Sequence, residues 1–137
     1  MLMIGFGWKA SAQNKDAIVG NWLTTKHDAR IEIYKKGEAY FGKLAWFKDQ
    51  TDGSGKPKLD TKNPDAALRS RTLLNLEFLK NFVYKGDNSW ENGEIYDAES
   101  GKTYNSKMSM SGNDKLNLRG YIGISLFGRT EIWTRVK

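Results

Sequence analysis

Carboxylates are the residues of this chain best equipped for chemistry. Asp60, Asp65, Glu94 and Asp97 are of the type that supplies an acid and base pair, as glycoside hydrolysis requires at defined separations. Nothing in the sequence completes that machinery. There is no cysteine, so thiol nucleophiles, thiolate metal sites, disulfides and lipid-anchoring cysteines are excluded. The single histidine, His27, lies between Lys26 and Asp28, reads as a solvated turn residue and cannot make a multi-histidine metal site. No Gly-x-Ser-x-Gly elbow and no phosphate loop is present. Catalytic residues, metal and cofactor are therefore all expected to be none.

Binding chemistry is better represented. The chain holds 5 Trp, 6 Tyr and 6 Phe, and Trp and Tyr pair an apolar body with a polar tip suited to ligand walls. Asn63, Arg69, Trp90, Tyr96, Tyr104, Arg119 and Tyr121 are the expected polar ligand-facing cluster, in which arginine and tyrosine grip a carboxylate or sugar hydroxyls. The net charge of +6 invites a polyanion partner, but basic and acidic residues are interleaved through Lys43 to Asp52, Glu77 to Asp87 and Arg129 to Arg135. Nucleic acid is not an expected partner.

The elements that must position these residues are strands. With 137 residues there is room for one domain. From Ile18 on, short runs with strand periodicity are separated by Gly, Asn and Asp. Ala29, Ile31 and Ile33 alternate with Arg30, Glu32 and Tyr34, one apolar face against one wet face. In Tyr40 to Phe47, Tyr40, Leu44 and Trp46 share one side, and Phe41, Ala45 and Phe47 the other. Lys48 to Lys62 has loop composition and is expected to be mobile. Asn63-Pro64-Asp65 offers an N-cap, a proline at the first helical position and a first-turn acid, predicting a short helix near residues 64–70. Leu73 to Tyr84, interrupted at Lys80-Asn81, predicts two short strands. Glu94–Asp97 and Lys102–Met110 form a hairpin with Tyr104, Met108 and Met110 on one face. Lys115–Arg119 and Arg129–Val136 finish the pattern. The expected fold is all-β: an antiparallel up-and-down barrel of about eight to nine strands, wide enough for side chains or one small ligand.

At the N-terminus, Met1 to Trp8 is apolar and Ala10-Ser11-Ala12 offers a signal-peptidase site. Eight apolar residues are too few to span a bilayer. Residues 1–12 are expected to be the remnant of a secretion signal or a disordered arm, with residues 13–137 as the domain and the periplasm or exterior as its location. The glycine-rich Gly120 to Gly128 reads as a bent connection in which Ile122, Ile124, Leu126 and Phe127 cover the barrel end or form an apolar rim.

Gly20-Asn21-Trp22 opens the first strand, and Arg129 and Arg135 lie on the last. This resembles the lipocalins and their calycin relatives, in which a Gly-x-Trp packs under an arginine of the final strand and closes the barrel base. A longer resemblance runs through Gly20–Thr24, Ile31–Tyr34, Gly42-Lys43 with Trp46, Asp60–Pro64 with Leu68-Arg69, Gly93–Asp97 with Gly101–Tyr104, and Arg119–Thr130 before Trp133. Over those stretches the chain is similar to the bacterial exported family called domain of unknown function 2147 (DUF2147), which is lipocalin-like. Asn75 stands where that family usually has glycine, and Ala98 where it usually has proline. Asparagine tolerates positive φ better than most residues. The resemblance implies export and a cup-shaped fold but assigns no activity. The functional expectation is a monomeric carrier of a small apolar or amphipathic molecule such as a fatty acid. The alternative is an interaction module of the cell envelope with a packed barrel and an unspecified protein partner.

Overall fold

The computed structural model describes residues 15–121 and 128–137. Eight strands run in chain order: β1 (Gly20–Leu23), β2 (Ala29–Lys36), β3 (Ala39–Phe47), β4 (Glu77–Gly86), β5 (Ser89–Asp97), β6 (Lys102–Ser111), β7 (Lys115–Tyr121) and β8 (Arg129–Arg135). Each pairs antiparallel with the next, and β8 returns to β1 to close a barrel. The closing seam is short, pairing Trp22 with Arg135 and Leu23 with Thr134. The expected up-and-down barrel is the observed fold. The expected signal remnant or arm at residues 1–12 and the apolar positions Ile122, Ile124, Leu126 and Phe127 lie outside the described residues.

The alternation read from the sequence decides which side chains face inward. Ile31 and Ile33 of β2, Met108 and Met110 of β6, and Leu116 and Leu118 of β7 are buried in the barrel with Trp22, Tyr40, Leu79, Phe82, Trp90 and Trp133. Close approach between strands depends on glycine at one level: a Cβ on Gly93 would fall 2.4 Å from the Phe82 ring. The tight closed-end turn at Asp87 and Asn88 has φ of 52° and 56°, a conformation that Asn and Asp tolerate.

Four local expectations change. Leu73 to Tyr84 does not form two strands; β4 runs unbroken past the suspected interruption because Asn81 adopts φ 65°. Ala45 is an extra residue in the β2–β3 ladder, since Ile31 pairs with Leu44 while Arg30 pairs with Trp46. That bulge turns Trp46 to the outside beside Arg30, 41% exposed, rather than onto the face of Tyr40. The helix shrinks to a 3₁₀ turn, Ala66–Leu68, capped by Asp65 rather than Asn63. The Lys48–Lys62 segment carries local structure beyond its loop composition: Asp52 accepts from Ser54 and Lys56, and bridges join Thr51 to Pro57 and Leu59 to Thr72. Asn75 does take positive φ, at 67°, which is how it serves in a glycine position. Among the described residues no helix is long and apolar enough to cross a membrane.

Candidate functional site

The two ends of the barrel are built differently. One end is sealed. Arg135 stacks its guanidinium 4.3 Å from the centre of the Trp22 ring and reaches past it to the carbonyls of Ala17 and Val19, at 2.6 and 3.2 Å. Gly20 makes room for it, since a Cβ there would lie 3.0 Å from the arginine Nη1. The segment Lys15–Val19 crosses this opening and collects the polar tips of the interior aromatics. Trp22 donates its indole N–H to Ile18 and Trp90 donates to Lys15, both at 2.9 Å, while the Tyr40 hydroxyl donates to Asp16. Burial of the Tyr40 ring and the neighbouring Asp16 carboxylate push its hydroxyl well above the usual tyrosine range. The Trp22, Trp90 and Tyr40 donors of this end are thereby satisfied.

The other end is the mouth. Pairing register places Ile95 beside Tyr104 and Ser106 beside Gly120, all on the face that turns inward with Met108. Ile95 spans the gap left by the small residues, its Cγ2 3.6 Å from where a Gly120 Cβ would sit. Above that level Ala29, Leu44, Ile95 and Tyr104 face the lumen yet are only half-buried. Arg129, paired with Gly120 and two register steps from buried Trp133, stands exposed at the rim.

Outside the mouth, against β5 and β6, the β3–β4 connection folds over a polar node. Asp60 is fully buried. It accepts from the Tyr96 hydroxyl at 2.6 Å and from Asn63 Nδ2 and Arg71 Nε, each at 2.9 Å. Burial alone would raise its pKa; the three hydrogen bonds and the Arg71 charge outweigh it and hold the carboxyl below the usual aspartate range. The loop also presses on the β5–β6 turn so closely that a Cβ on Gly101 would lie 2.0 Å from the Lys62 carbonyl. Beside this node a cleft of about 240 Å³ opens between Arg71, Lys80, Glu94 and Tyr96, floored by Pro64 and Phe78. Nearby, Glu77 accepts from Tyr34 and Lys36.

The seven expected ligand-facing residues do not form one cluster. Asn63, Arg69 and Tyr96 come together on the outer wall, where Arg69 staples the loop through the carbonyls of Asn63 and Pro64. Trp90 belongs to the sealed end, fully buried with its N–H spent on Lys15. Tyr104 faces the lumen. Arg119 and Tyr121 take the outer face of β7, where Arg119 donates to Thr130 at 2.8 Å. The strand period of two forces that separation, because odd and even positions of a strand face opposite sides. Of the two arginines expected at the closure, Arg135 performs it with Gly20 and Trp22. Arg129 is at the opposite end of β8, about 20 Å away at the strand rise. Among the four candidate acids, Asp60 is saturated, Asp65 caps the 3₁₀ turn and Asp97 accepts from Glu99 and Ser100 in its own turn. Glu94 is exposed and, among the described residues, accepts a hydrogen bond only from the Asn81 amide, at 3.4 Å. Arg71 and Tyr40 were invisible to motif reading because their partners Asp60 and Asp16 are 11 and 24 residues away.

The model of a family described as "Uncharacterized protein conserved in bacteria (DUF2147)" matches residues 20–135. The solved structure of protein HP1028 from Helicobacter pylori, described as belonging to the lipocalin family, is similar with a TM-score of 0.76. Its sequence is 22% identical, and the match covers 88% of this chain and 83% of that one. No curated protein matches significantly.

Proposed function

The chain belongs to the DUF2147 family of bacterial proteins and has a lipocalin-like barrel, and from that premise we propose that it binds a small apolar or amphipathic molecule, fatty-acid-like in character, in the mouth half of the barrel. One observation carries this reading: Ala29, Leu44, Ile95 and Tyr104 point into the lumen and are only half-buried. Inward apolar surface left open to solvent gains by being covered, at about 25 cal/mol per Å². The sealed end, with its indole and guanidinium groups bonded to Lys15–Val19, gives such a ligand a floor. Arg129 at the rim is placed to meet an acidic head group while the tail contacts Ile95 and Leu44. Binding rather than catalysis fits the acids, since Asp60, Asp65 and Asp97 hold loops and turns. Export to the periplasm or exterior is part of the proposal, supported by apolar Met1 to Trp8 ahead of Ala10-Ser11-Ala12.

The test is native mass spectrometry of protein from its host, followed by titration with a fluorescent fatty acid. Ile95→Trp fills the lumen, and binding weakens at least about tenfold, the scale expected when an apolar pocket is occluded. A barrel that carries no ligand from its host and binds the probe no better than Ile95→Trp does would sink the reading. Fractionation of host cells places the protein outside the cytoplasm; recovery with cytoplasmic markers refutes export.

A further inference from the structure

The outer cleft beside Asp60 is separate from the lumen, and its construction is specific. Arg71 is fixed to Asp60 at two points: its Nε donates to the Asp60 carboxylate at 2.9 Å, and its carbonyl accepts from the Asp60 N–H at 2.9 Å. Its guanidinium carbon stands 5.9 Å from the centre of the Tyr96 ring. The Nε edge is therefore spent, while the two Nη groups have no hydrogen-bond partner among the described residues. Arg71 lines the cleft, with Lys80 supplying a second positive charge. A buried carboxylate that freezes one edge of an arginine leaves its free fork preorganised, so little side-chain entropy is lost when that fork is used.

We infer that this cleft is a recognition site for a small organic monocarboxylate, gripped by the Arg71 fork with its carbon body against Pro64, Leu68 and Phe78. A guanidinium fork matches a planar carboxylate with two parallel hydrogen bonds. The cleft, at about 240 Å³, is smaller than the ~300–1,000 Å³ of drug-sized sites, which selects compact ligands. Glu77 and Glu94 share the lining; Glu77 is already engaged by Tyr34 and Lys36, yet both acids oppose a dianion and so disfavour inorganic phosphate. The apolar floor excludes a ligand without carbon.

The experiment follows amide and arginine side-chain NMR shifts of the whole chain during titration with butyrate, butyramide and inorganic phosphate. Butyrate gives saturable shifts at Arg71, Tyr96 and Thr103; butyramide and phosphate bind at least about tenfold more weakly, the cost of losing a charge-assisted pair. Two variants localise the effect. Arg71→Lys keeps a charge beside Asp60 but loses the fork, and weakens butyrate about tenfold. Thr103→Phe, at an exposed position of β6 paired with Tyr96 and making no contact with Asp60 that the described hydrogen bonds include, blocks the cleft while leaving fluorescent fatty acid binding in the lumen unchanged. Butyramide binding as tightly as butyrate, phosphate binding more tightly, or unaltered butyrate affinity in Thr103→Phe would each overturn the inference. Because the lumen probe is measured in the same variant, failure of the cleft and failure of the lumen reading are told apart.

Discussion

The sealed end and the mouth are made from the same eight strands, yet they solve opposite problems. At the sealed end β2 joins β3, β4 joins β5 and β6 joins β7 through tight turns at residues 37–38, 87–88 and 112–114. Large aromatics fill the barrel there, and the polar tips of Trp22, Tyr40 and Trp90 meet the Lys15–Val19 segment. At the mouth the connections are longer, and the inward residues are smaller or half-exposed. Polar groups there are used to fasten the β3–β4 connection to the outer wall through Asp60. The lesson is that one end invests its aromatic area in closure, while the other keeps apolar surface and a rigid arginine available.

The comparison breaks most visibly if the sealed end is not the stabilising half. Trp22→Ala removes a fully buried indole and the platform under Arg135, and costs about 3–5 kcal/mol in urea unfolding. Tyr104→Ala, half-exposed at the mouth, costs clearly less; equal losses would erase the distinction. Next in size is Asp60→Asn, which leaves Arg71 without its buried carboxylate and costs about 2–3 kcal/mol by the same assay. Its effect on local opening, read by hydrogen exchange, falls on Leu59 to Arg71 and spares Trp22 and Trp90.

The same contrast sharpens with pH. The folded-state pKa values of Asp60 and Glu77 are lowered, so their contribution is fully present above the ordinary carboxylate values, near 3.9 and 4.3, and is lost as pH falls through the lowered ones. Acid therefore loosens the β3–β4 connection first, seen as faster exchange at the Asp60 and Asn63 amides below about pH 4. Loosening that starts at the Lys15–Val19 segment instead would contradict this. Smaller again, Arg135→Lys loses the planar stack on Trp22 and one of its carbonyl contacts, for about 1–2 kcal/mol in thermal unfolding. Tyr96→Phe, which withdraws one of three donors from Asp60, costs about 1 kcal/mol and shifts the acid transition of the connection upward.

Much of the fold was legible because strand burial has a period of two, and Ile31/Ile33, Met108/Met110 and Leu116/Leu118 print that period directly in the chain. Gly20, Trp22 and an arginine of the last strand likewise carried the closure, although choosing Arg135 over Arg129 needed the register that sets Trp22 opposite Arg135. The bulge at Ala45 and the positive φ of Asn81 leave no pattern that periodicity can read, so the facing of Trp46 and the continuity of β4 differ from what alternation predicts. The sequence by itself determined an all-β barrel, since local alternation and turn chemistry act over a few residues, whereas the Trp–Arg seal was implied by the resemblance to the lipocalins. Only the tertiary structure decided that Asp60 meets Asn63, Arg71 and Tyr96, that Trp90 serves the sealed end, and that the expected ligand cluster divides among lumen, floor and outer wall. Those groupings arise from distant strands brought side by side, and a contact across tens of residues has no local signature.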